Sequence, residues 1–128
     1  MRLKHFSLSF GEQVFKALAD ESRIRILHLI LRNKEMCTSD LEQVLDFTQT
    51  KTSRHLAYLR NAGLVTSRKQ DQWVHYTIKE ETADLVSQVF GYLERDAQLQ
   101  KDAETYRILY SNRELAVNKL HAGRWTAS

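Results

Sequence analysis

The run Thr48-Gln49-Thr50-Lys51-Thr52-Ser53-Arg54-His55-Leu56-Ala57-Tyr58-Leu59-Arg60-Asn61-Ala62-Gly63 decides how this chain reads. Thr48 suits an N-cap, because its hydroxyl can accept a bond from a free backbone N–H of the first helical turn. Leu56 and Leu59 form one apolar edge, and Thr52 continues it one turn back. Gly63 stands where a helix would end in a left-handed residue. The opposite face carries Gln49, Thr50, Lys51, Ser53, Arg54 and Tyr58, groups that reach bases and phosphates. No carboxylate occurs between Asp46 and Asp71, yet Lys51, Arg54, Arg60, Arg68 and Lys69 all fall in that window. A helix kept on the surface only for solubility usually mixes both signs; this one suits a polyanion.

The flanking residues extend the pattern. Ser39-Asp40-Leu41-Glu42 reads as a capping box opening a short helix to about Leu45, and Asp46-Phe47 as a turn with Phe47 as its apolar plug. Met36-Cys37 reads as a short extended piece able to pair with a later hairpin. Asp20 caps a helix running to about Asn33, apolar nearly all round and hence central to a domain. Before it, Phe10 to Ala19 reads as a first helix with Phe10, Val14, Phe15 and Leu18 on one side. After Gly63, residues 64–68 and 73–78 alternate as a β-hairpin with a tip at 69–72, where Arg68 and Lys69 can reach a phosphate or a minor groove. Glu80 to about Gln100 is expected to be one long helix with Leu85, Val86, Val89, Phe90, Leu93 and Ala97 as its stripe. A further apolar series, Leu99, Ala103, Tyr106, Tyr110, Val117 and Leu120, either continues that helix or folds back as another. The reading is mainly α with a small β-hairpin.

These motifs resemble the arsenic-responsive (ArsR/SmtB) repressor family of winged helix-turn-helix regulators. The family pattern S-Q-S-T-V-S-R-H-L followed by G-L-V is matched by T-Q-T-K-T-S-R-H-L and then A-Y-L-R-N-A-G-L-V; Trp73-Val74-His75-Tyr76 resembles the end of the family's wing; and Phe15 to Leu27 is similar to its F-K-A-L-S-D-P-T-R-L-R-I-L. The resemblance covers roughly Phe10 to Leu93. It implies a single winged helix-turn-helix domain over 1–128, with residues 20–78 as DNA-binding core and wing and residues 1–19 and 80–122 as dimerisation helices. It implies double-stranded DNA as partner, contacted by Gln49, Thr50, Lys51, Ser53, Arg54, His55, Tyr58, Arg68 and Lys69. For His55, a phosphate contact and a role in holding the helix in place are equally open. The implied homodimer contacts are Phe10, Val14, Leu85, Val89, Phe90 and Leu93, and the implied activity is repression of the protein's own operon at an inverted repeat. Relief by an effector is also implied: a small organic molecule between the dimer helices, a thiol modification, or no ligand at all stay open. A winged-helix module for protein contact, with incidental DNA affinity, is the alternative.

Composition sets outer bounds. At 128 residues the chain is about one domain, and its net charge of +3 is mildly basic, so the distribution of charge matters more than its total. One cysteine allows no intrachain disulfide, which fits a reducing cytoplasm. Met1 to Ser7 lacks a long apolar region, and no stretch nears the ~18 apolar residues of a membrane span. There is no Gly-rich phosphate loop, no H-E-x-x-H and no nucleophile elbow, so no enzyme and no cofactor are expected. Many relatives sense metals, but here Cys37-Thr38-Ser39 puts a hydroxyl where the family's second thiolate stands. The stretch from Glu80 to Gln100 has no histidine, so no metal site is expected.

Overall fold

The computed structural model describes residues 5–110. Val117 and Leu120 of the apolar series, His121 and Trp125 lie outside the described residues. The order is α1 (Leu8–Leu18), α2 (Glu21–Asn33), β1 (Met36–Cys37), α3 (Thr38–Leu45), α4 (Gln49–Asn61), β2 (Val65–Gln70), β3 (Trp73–Ile78), α5 (Glu80–Leu93) and α6 (Ala97–Tyr110). This is a winged helix-turn-helix: α3 and α4 form the two arms of the turn, and the β2–β3 hairpin is the wing.

The most apolar helix takes the centre. Ile26, Leu27, Leu29 and Ile30 of α2 are buried, and α1, α3, α4, α5, α6 and β3 all pack on this helix. Asp20 starts it as expected, its carboxylate accepting from the Arg23 amide at 3.0 Å. Met36-Cys37 does pair with the hairpin, antiparallel to β3 with Met36 opposite Tyr76 and Cys37 opposite His75, giving the sheet order β1-β3-β2. The wing tip is tighter than expected. Gln70 pairs with Trp73, so only Asp71 and Gln72 lie in the turn, and Asp71 takes φ 57°. Asp tolerates the left-handed region through local hydrogen bonding, which is how the turn closes without glycine.

Gly63 ends α4 at φ 85°, and a Cβ there would lie 2.8 Å from the Phe10 ring. Glycine is therefore required twice over, by backbone angle and by the approach of α1. The start of α5 is stitched to the same junction, with the buried Thr82 hydroxyl donating to the Gly63 carbonyl at 3.3 Å and the Lys79 amide to the Leu64 carbonyl at 2.9 Å.

Two further sequence expectations fail. Ser39 is not the cap of α3: the helix starts at Thr38, and Cys37 occupies the N-cap without a side-chain bond. Ser39 instead places its hydroxyl 3.3 Å from the Cys37 sulfur. The expected long helix from Glu80 to Gln100 is broken at residues 94–96, where Asp96 accepts from the Leu99 amide at 3.0 Å and starts α6. A competing cap at Asp96 outweighs the continuous apolar stripe, because α6 then folds back on α2 and α3 of its own chain.

Candidate nucleic-acid interface

The candidate site is built on α4. Thr48 caps it, its hydroxyl accepting from the Lys51 amide at 3.1 Å, while the buried Thr52 hydroxyl donates to the Thr48 carbonyl at 2.9 Å. Thr52, His55, Leu56 and Leu59 face inward. This leaves Gln49, Thr50, Ser53, Arg54 and Tyr58 exposed on the outer face. The side chains of Gln49, Thr50, Ser53 and Arg54 make no hydrogen bond or ion pair among the described residues. They are thus free to exchange water for an external partner. The first turn of α4 holds no acidic residue, whereas α2 has Glu21 and α5 has Glu80 and Glu81 at that place. The positive end of its dipole is left without an internal counter-charge.

The other predicted site residues divide. His55 is only 7% exposed and faces the interior, so it is no phosphate ligand; its Nδ1 lies 3.5 Å from Nη1 of Arg23. Burial lowers its pKa, and Arg54, Arg23 and Lys51 push the same way against Asp20. The middle of the helix is thereby anchored to α2 by an inward-facing ring. Arg23, which the sequence reading passed over, is the hub of this contact. It donates to the Ala17 carbonyl at 2.8 Å and to the Lys16 carbonyl at 3.2 Å, and its guanidinium covers the Tyr58 ring at 4.0 Å. Tyr58 is exposed but serves as a lid on Arg23. Lys51 is half-buried, with Nζ 4.0 Å above the Phe47 ring.

On the wing, Lys69 is exposed, but Arg68 is engaged. Its Nε and Nη2 donate to the two carboxylate oxygens of Glu35 at 3.1 and 3.0 Å, and Nη1 to the Gln70 amide oxygen at 2.6 Å. The carboxylate-free window in sequence is therefore not carboxylate-free in space, since the residue before β1 supplies one. The spacing of 33 positions between Glu35 and Arg68 gave no local signal.

The dimer residues also divide. Val14 and Phe90 are buried in their own chain, which removes them as contacts to a partner. Phe10 is half-buried over Gly63, with Phe6 edge-on at 4.8 Å. Leu85, Val89 and Leu93 are partly buried along α5. The large apolar side chains left in the open include Leu8 and Phe15 on α1, the latter 63% exposed, and Tyr92 on α5, 91% exposed; Tyr58, Trp73, Ile108 and Leu109 are exposed elsewhere. Leu8 and Phe15 stand seven residues apart, so a second helical stripe was legible in the sequence. Among the described residues, no group of three or more His, Cys, Asp or Glu comes together as a metal-ligand cluster, and no helix is long and apolar enough to cross a membrane.

An exposed capped helix ahead of a β-wing has the dimensions to enter a DNA major groove while the wing lies along the backbone. Known proteins carry the same elements. Residues 20–67 match the family described as bacterial regulatory protein, arsR family. The arsenical resistance operon repressor of Escherichia coli is 52% identical over 66 residues, which is 52% of this chain and 56% of the repressor. An arsenic resistance transcriptional regulator of Pseudomonas putida is 45% identical over 73 residues, 57% of each chain. The matched part thus spans little more than half the length of these curated relatives. Among solved structures, the transcriptional regulator HlyU from Vibrio vulnificus is 38% identical with a TM-score of 0.58, over 66% of this chain and 88% of that one. A homodimeric winged helix-turn-helix DNA-binding domain from Mycobacterium bovis superposes with a TM-score of 0.63 at 28% identity, over 68% of this chain and 81% of that one. With the capped α4, the wing and these matches together, the chain belongs to the ArsR family of bacterial regulatory proteins.

Proposed function

We propose that this protein is a homodimeric transcriptional repressor that binds double-stranded DNA at an inverted repeat in front of its own operon. The observation that carries the reading is the outer face of α4: Gln49, Thr50, Ser53 and Arg54 are exposed, unengaged among the described residues and set at an acid-free helix start. Gln49 suits adenine and Arg54 guanine or a phosphate, while Thr50, Ser53, Lys51 and Lys69 add short polar and cationic contacts to the backbone. A single α4 reads only a few base pairs. Two copies one helical turn apart supply the remaining affinity, which makes an inverted repeat the matching site. The exposed Leu8, Phe15 and Tyr92, with Leu85, Val89 and Leu93, are the surface offered to the second copy. A cytoplasmic location follows from the DNA partner.

The relatives are named for arsenical and cadmium resistance and, in HlyU of Vibrio cholerae, for transcriptional activation. For this chain we propose a DNA-competent form that needs no metal. The donor set supports this, since the only described neighbour of the Cys37 sulfur in hydrogen-bond reach is the hydroxyl of Ser39, a poor ligand for soft metals. Any effector then acts by favouring a dimer geometry that does not fit DNA.

The test is fluorescence anisotropy with DNA from upstream of the gene and a scrambled duplex, at two salt concentrations and with chelator present. Specific binding with a steep salt dependence, a log–log slope of about −0.9 per phosphate contact, is the expected result. Replacing Gln49 and Arg54 together by alanine should cost about a hundredfold in operator affinity, given roughly 1–3 kcal/mol per base contact, and should leave the dimer intact. Unchanged operator binding by that variant would remove α4 as the reading helix. Release of DNA by stoichiometric zinc or arsenite would remove the metal-independent reading.

A further inference from the structure

Helix α6 lies away from the proposed reading surface, yet its best-held residue leads directly to it. Asp102 is 2% exposed and accepts two parallel bonds from Arg25 of α2, Nε to Oδ2 at 2.9 Å and Nη2 to Oδ1 at 2.9 Å, with a third from Gln98 at 2.9 Å. Held in this fork, the Arg25 guanidinium lies 5.3 Å from the Phe47 ring centroid. Phe47 is the single residue between Asp46, which closes α3 at φ 58°, and Thr48, the cap of α4. Lys51, in the first turn of α4, stacks on the same ring at 4.0 Å. The end of α6 grips the other arm of the turn, where the Tyr110 hydroxyl donates to Asp40 of α3 at 2.7 Å.

Apolar contacts and one buried ion pair together hold α6 in place. Leu99 and Asp102 are its buried residues, Tyr106 and Tyr110 pack partly buried against the core, and Arg32, Asn33, Tyr106 and Arg107 line an open cleft of about 420 Å³ beside them. A buried ion pair often gives no more stability than an apolar pair of similar volume, but it fixes the plane of a guanidinium as an apolar pair does not.

We propose that α6 braces the reading helix, and that Arg25 and Asp102 are positioning residues for DNA recognition, acting through the Phe47 ring on the first turn of α4. The proposal rests on the DNA-reading role given above. Neither residue touches DNA in this scheme. They set the pose of the Gln49 end of the helix against the rest of the domain.

The experiment compares the full-length chain with Asp102→Asn, with the doubly apolar Arg25→Met/Asp102→Leu, and with Tyr110→Phe, all at a temperature where circular dichroism shows them folded. Hydrogen exchange across α4 and α6 is read without DNA. Affinity is read for a duplex that the wild-type chain has selected from a random pool, against a scrambled duplex, over a range of salt. In Asp102→Asn the first-turn amides of α4 should exchange about tenfold faster, and affinity for the selected duplex should fall roughly tenfold. Scrambled-duplex affinity and the salt slope should not change, because no phosphate contact is lost. The apolar double variant should recover protection of α6 but not affinity for the selected duplex; full recovery would make the ion pair a mere fastener and overturn the proposal. Wild-type exchange in α4 of Asp102→Asn, or wild-type affinity despite faster exchange, would overturn it too. Tyr110→Phe loosens the second grip and decides by the same readings if Asp102→Asn does not fold. If wild-type protein selects no sequence, the DNA-reading role falls, and the exchange measurement still decides whether α6 braces α4.

Discussion

At the scale of single residues, two side chains change meaning between sequence and structure. His55 sits in the middle of the reading helix, yet its ring points inward to Arg23 and carries packing instead of contact. Arg68, an open cation in sequence, is held by Glu35 and Gln70. His28 of α2 is a partly buried ring with a consequence for stability. Its Nδ1 has no hydrogen-bond partner and its ring lies 5.6 Å from that of Phe90. Burial lowers its pKa from the usual 6.5, with the charge of Arg32 adding to the effect and Asp102 and Asp96 opposing it. The unfolded chain therefore binds more protons than the folded one just below that value. The resulting stability is present above about pH 6.5 and is lost as pH falls through the lowered folded value, and His55, lowered chiefly by burial, contributes in the same direction. Urea melts between pH 7.5 and 5 should show stability falling toward the acid end. His28→Leu should flatten part of that fall; a profile identical to wild type would mean His28 does not titrate with folding.

At the scale of elements, α4 depends on its start more than on its length. The chain gives it a capping threonine, no acid in the first turn, and a glycine after its last turn. The missing acids forgo a few tenths of a kcal/mol of dipole stabilisation and keep the helix end attractive to a phosphate. The cap is then the main local support. Thr48→Ala removes the acceptor for the Lys51 amide and should cost about 1 kcal/mol, a fall of roughly 4 °C in Tm. Because the frayed turn contains Gln49 and Thr50, specific DNA affinity should fall while scrambled-duplex affinity holds. Calorimetry with anisotropy on the same sample checks both, and an unchanged Tm would mean that water replaces the cap without loss. The break between α5 and α6 follows the same logic, with the Asp96 cap overriding an apolar stripe that runs past it.

At the scale of the whole molecule, the feature still without a partner is apolar surface. Exposed Leu8 and Phe15 on α1 and Tyr92 on α5 would cost solubility on a monomer, whereas a second copy would cover them. Phe15→Glu combined with Tyr92→Glu places charges in that surface while leaving the buried Val14, Val86 and Phe90 untouched. Sedimentation should then show a folded monomer, and operator affinity should drop by about a hundredfold or more through the loss of the linked second half-site. A variant that stays dimeric would move the interface elsewhere.

Local and periodic signals carried most of the architecture. The Thr48 and Asp20 caps, the Gly63 stop, the apolar α2 and the wing were legible because each rests on neighbours a few positions apart. So was the outer face of α4, since helical spacing alone puts Gln49, Thr50, Ser53 and Arg54 on one side. The tertiary structure decided which of these groups are free. Glu35 reaches Arg68 across 33 positions and Arg25 reaches Asp102 across 77, and pairing over such separations is set by packing, not by spacing. It also decided where the last helix goes. An apolar stripe states that a face must be buried, but not against what. Here the buried ion pair to α2, the Asp96 cap and the Tyr110 hydroxyl turn α6 back onto its own chain, where a stripe read alone would equally have served a second copy.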